Sequence, residues 1–67
     1  MTLKQYASHL SYMLGQHGFI ENPLNPDQIE KCYNAGLDID SAYGIACDVS
    51  CGFPFLSSFN LVKEESI

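Results

Sequence analysis

The sequence predicts a small all-α domain: three helices followed by a C-terminal aromatic tail or short fourth helix. Two observations carry this. Apolar residues recur at helical spacing in three separate stretches, and each stretch closes on a glycine followed by a large apolar residue: Gly18-Phe19, Gly36-Leu37 and Gly52-Phe53. Glycine takes the left-handed conformation that stops a helix without Cβ strain, and the apolar residue after it folds back on the last turn. The 67 residues allow one domain, assigned to 1–62, with 63–67 expected to fray. A chain this short buries only about 60% of its unfolded surface. Each large ring therefore matters, and with no tryptophan the four tyrosines and four phenylalanines supply them all.

Taken in order, Thr2 with Gln5 three residues on forms a capping box. Leu3, Tyr6, Ala7, Leu10, Met13 and Leu14 then make the stripe of an amphipathic helix, which Gly15 weakens in its last turn. The second helix has Asn25 to cap it, Pro26 at its first position and Asp27 near the positive end of its dipole. Its inward face is short: Ile29, Cys32 and Tyr33. Asp38 or Asp40 caps the third, whose inward face is expected to hold Ile39, Ala42, Tyr43, Ala46, Val49 and Ser50. Pro54 enforces its stop. In the tail, Phe55, Phe59 and Val62 fit a helical stripe with Leu56 beside it. Short extended pieces also fit, through Phe53 and Phe55, then Phe59 and Leu61. A helix or turn packed across the other three is the favoured reading.

The net charge is −5, with Lys4, Lys31 and Lys63 facing eight carboxylates. Three dispersed lysines cannot build the basic stripe that replaces counterions on phosphates. Direct nucleic-acid contact and docking on an anionic membrane are both disfavoured. A protein partner with a basic surface suits the charge. No apolar run approaches the roughly 20 residues that span a bilayer, and the N-terminal stretch lacks a signal-peptide core. Three cysteines, an odd number, do not make a disulfide scaffold. These features predict a reduced, cytoplasmic protein.

Catalytic and cofactor signatures are missing, so no catalytic residue and no cofactor are assigned. Cys47 and Cys51 lie four apart on the third helix. Cys32, with His17 or His9, could join them in a structural zinc or thiol site, which is one alternative function. The pairs lack the usual CxxC spacing, and free cysteine commonly packs as a small hydrophobe. A redox role fits poorly, because Cys51 sits at a helix C-terminus, where the dipole disfavours a thiolate, and Asp48 adds negative charge. "DID" at 38–40 lacks the later ligands of a calcium loop and reads as a cap.

Residues 28–45 carry a helix-turn-helix rhythm, so a dimeric DNA-binding protein is a second alternative. Its docking helix would open on Asp38 and Asp40 and contain no basic residue. The turn at Gly36-Leu37 also resembles that of small three-helix protein-binding modules such as ubiquitin-associated domains. The resemblance covers about half the chain through common turn residues, and it implies no functional residue here.

The leading expectation is a small, acidic, non-catalytic protein-binding module, a regulator or inhibitor of a larger partner. Asp38, Asp40, Asp48, Phe55 and Phe59 are its candidate contacts. Phenylalanines left exposed in the tail would equally serve a homodimer. Gly44, in line with Asp40, Cys47 and Cys51, gives a slim stripe open to another backbone or closed by packing. In profile the chain is similar to small acidic inhibitors of phages and mobile elements, some of which block nucleic-acid-handling enzymes by presenting carboxylates.

Overall fold

The all-α prediction holds in a computed structural model of the chain, in which residues 1–65 are described. Four helices follow in order, α1 (Leu3–Gln16), α2 (Pro26–Asn34), α3 (Ile39–Ser50) and α4 (Phe55–Glu65). No strand occurs among the described residues. The tail is therefore helical rather than extended. Residues 63–65 of the stretch expected to fray continue α4, and 66–67 lie outside the described residues.

Each helix begins where a side chain can take an orphan N–H. In α1 the Gln5 N–H donates to Thr2 Oγ1 at 3.2 Å, and the Thr2 N–H donates to Gln5 Oε1 at 2.9 Å. Asn25 and Gln28 form a second reciprocal box at 2.8 and 3.0 Å, an arm of α2 that sequence reading did not assign. For α3 the choice between two aspartates falls to Asp38, whose Oδ1 accepts the Ser41 N–H at 2.8 Å. Asp40 sits in the first turn instead.

The three expected stops share one geometry. Gly18, Gly36 and Gly52 all have positive φ, between 78° and 94°. The next residue reaches back to the helix each time: Phe19 N–H to Leu14 O at 3.1 Å, Leu37 to Cys32 O at 3.2 Å, Phe53 to Asp48 O at 2.9 Å. With the glycine N–H bonds to the carbonyls of Gly15, Tyr33 and Val49, each is a Schellman stop that satisfies orphan carbonyls.

In the packing, α3 lies between α1 and α4, and α2 packs on α1. The core is Tyr6, Leu10 and Leu14 from α1, Leu24 from the first loop, Ile29 and Cys32 from α2, Leu37, then Ala42, Ile45, Ala46 and Phe59. Asn22 seats Leu24 by accepting its N–H at 2.9 Å while donating to Ser11 Oγ at 3.3 Å. Tyr6 meets the edge of Tyr33 with centroids 5.4 Å apart, and Tyr33 donates its hydroxyl to the Met1 carbonyl. The inner face of α3 is wider than the expected one: Ile39, Ala42, Tyr43, Ala46 and Val49 are buried or packed against the core as expected, and Ile45 joins them. Ile45 is fully buried, Tyr43 and Val49 are half-buried, and Ser50 is exposed. With α1 on one side and α4 on the other, α3 has two covered faces, so one stripe does not describe it.

Candidate functional site

The five expected partner contacts do not form one surface. Asp38 caps α3, and the hydrogen bonds from Ser41 hold its carboxyl below the ordinary value of 3.8. Its main-chain carbonyl faces the Tyr6 hydroxyl at 3.5 Å. Asp48 accepts the Ser58 hydroxyl at 2.8 Å. Ser58 is 1% exposed, so Asp48 satisfies a hydroxyl that would otherwise be buried without a partner. Two of the three aspartates thus serve the fold through hydrogen bonds, although all three, Asp40 included, are exposed. Phe59 corrects the expectation of a contact residue: it is buried in the core, stacked on half-buried Phe55 with centroids 5.5 Å apart.

The thiols are dispersed by burial. Cys32 lies wholly inside, and burial pushes its thiol up to about 11. Cys47 is half-buried, and its thiol, one turn along α3 from Tyr43, raises the pKa of the Tyr43 hydroxyl. Cys51 is exposed at the end of α3. The His17 ring lies against Tyr43 with centroids 4.8 Å apart. Among the described residues no group of three or more His, Cys, Asp or Glu side chains gathers as metal ligands. The set Cys32, Cys47, Cys51 and His17 is therefore not assembled. A Cβ placed on Gly44 would meet no atom within 4 Å, so packing within the chain does not close its stripe. The helix that would enter a DNA groove, α3, is capped by Asp38, carries Asp40 and Asp48, and has no lysine.

The feature that sequence reading missed lies at the third stop. A Schellman stop normally folds its following apolar residue back onto the helix. Leu37 does so and is 7% exposed, and Phe19 is half-buried. Phe53 remains 43% exposed although its backbone is held identically. Beside it opens a cleft of about 540 Å³ lined by Asp48, Cys51, Gly52, Phe53, Pro54 and Leu61, with Leu61 53% exposed. Asp48 fixes both walls, since its carbonyl takes the Phe53 N–H and its carboxylate takes Ser58 of α4. A sequence signal was present. Phe55, Phe59 and Val62 already fill the inward stripe of α4, which leaves Phe53 and Leu61 without a place on it.

Fold and cleft together define a small four-helix all-α domain with an apolar corner between α3 and α4. The chain matches no family model, no curated protein and no solved structure. Among the described residues no helix is long and apolar enough to cross a membrane.

Proposed function

We propose that this chain is a non-catalytic protein-binding module of the cytoplasm, a regulator or inhibitor that docks on a larger partner through the corner between α3 and α4. The exposure of Phe53 carries the reading. Of three equivalent stops, one buries its apolar residue and one half-buries it, while the third leaves a phenylalanine exposed beside exposed Leu61. Aromatic side chains seated in preformed clefts are the residues that commonly dominate protein interfaces. The net charge of −5 directs the module to a basic partner, and nucleic-acid-handling enzymes present such surfaces. Tagged protein in lysate of its native host tests this. A stoichiometric partner lost in high salt, and lost with Phe53→Ser at low salt, supports the reading, because exposed charges are screened by salt. Absence of any stoichiometric partner at either salt removes it.

A further inference from the structure

The binding-module reading leaves open what chemistry fills the α3–α4 cleft, and the inference below rests on that reading. We propose that the cleft takes an apolar side chain flanked by lysine or arginine from a basic segment of the partner, the apolar group lying between Phe53 and Leu61 and the cation meeting Asp48. The lining supports each half. Phe53, Pro54, Leu61 and the Cys51 thiol are apolar or weakly polar, and Asp48 is the one charged residue among the described residues that line it. Asp48 is exposed, so its charge stands at the rim, while its bond to Ser58 keeps it from turning away. The walls are set before binding, because a Schellman stop, Pro54 and the Ser58 N–H bond to the Pro54 carbonyl at 3.2 Å fix the connection. A preformed cleft loses little entropy on closing around a ligand. A second copy suits the site less well. Face-to-face pairing brings Asp48 against Asp48, and each copy carries −5.

A second apolar groove differs in its charges. Between α1 and α2, Leu3, Ala7, Pro26 and Ile29 line a groove of about 490 Å³ whose rim carries Lys4 and Glu30, one charge of each sign. That groove has no preference for a basic segment, which makes it an internal control.

The test uses the full chain, labelled with ¹⁵N, and an acetylated, amidated heptapeptide of sequence Gly-Lys-Leu-Arg-Phe-Lys-Gly. Its counterpart carries glutamate at the three basic positions. Saturable amide shifts confined to Asp48, Cys51–Phe53 and Leu61 are expected with the basic peptide and not with the acidic one. Asp48→Asn, whose amide oxygen can still accept from Ser58, should weaken binding several-fold, and Leu61→Ser should do so independently. Equal response to both peptides, shifts centred on the α1–α2 groove, or no shifts would overturn the assignment. So would sedimentation showing a dimer whose dilution shifts map to this same cleft. If the peptide fails while a partner is still captured through Phe53, only the basic anchor falls and the module reading stands.

Discussion

Asp48 holds two elements at once, and its substitution separates charge from hydrogen bonding. Asp48→Ala leaves the buried Ser58 hydroxyl without an acceptor, which should cost about 1–3 kcal/mol in urea unfolding. Asp48→Asn should cost clearly less, since an acceptor remains. The acidity of this chain is therefore not free to be removed in bulk, because Asp48 also satisfies Ser58. Titration gives a second test. Burial raises Cys32 from 9.0 to about 11, and burial, with the nearby Cys32 and Asp38 charges, raises Tyr6 from 10.0 to about 12. Folding favours the protonated forms, so this stability is whole below pH 9 and is lost as pH climbs through 11 and 12. Urea midpoints should fall over that window, and Cys32→Ala, though less stable at pH 7, should flatten its lower part. Asp38 behaves oppositely. Its lowered pKa means a contribution present above 3.8 and lost as pH drops through the folded value, and Asp38→Asn, still able to cap, should remove that acid loss.

At the scale of the helix, two glycines of α3 and its stop are opposed in role. Gly44 lies inside α3 with open space above it and ordinary φ. Gly44→Ala should stabilise the domain by about 0.5–1 kcal/mol, through helix propensity and a less flexible unfolded chain. Gly52 has φ +94, and Gly52→Ala should destabilise by about 1–2 kcal/mol because Cβ meets the following carbonyl in that region. Thermal unfolding of the two variants checks the signs. Helix ends were legible because caps and stops are local chemistry: Thr2, Asn25 and Asp38 each satisfy an N–H three residues away. The Gln28 arm is equally local, with Asn25 N–H donating to Gln28 Oε1 three residues on.

For the whole molecule, the decisive fact is that α3 is covered twice. Ile45 is fully buried between its neighbours, so Ile45→Ala should cost about 2–5 kcal/mol. Phe53→Ser, at a 43% exposed position, should stay within about 0.5 kcal/mol. Equal losses from the two would show that Phe53 belongs to the core and would close the proposed cleft.

By itself the sequence determined the first three helices, the caps at Thr2 and Asn25, and the three glycine stops. All of these depend on residues three to five apart, whose geometry the helix dictates. Tertiary structure alone decided which faces of α3 are buried, that Phe59 is core, that Asp48 serves Ser58, and that Phe53 escapes the fold of its own stop. Those outcomes depend on where α1 and α4 land against α3. No local spacing encodes that placement, because it is set by how side chains distant in the chain fill one interior together.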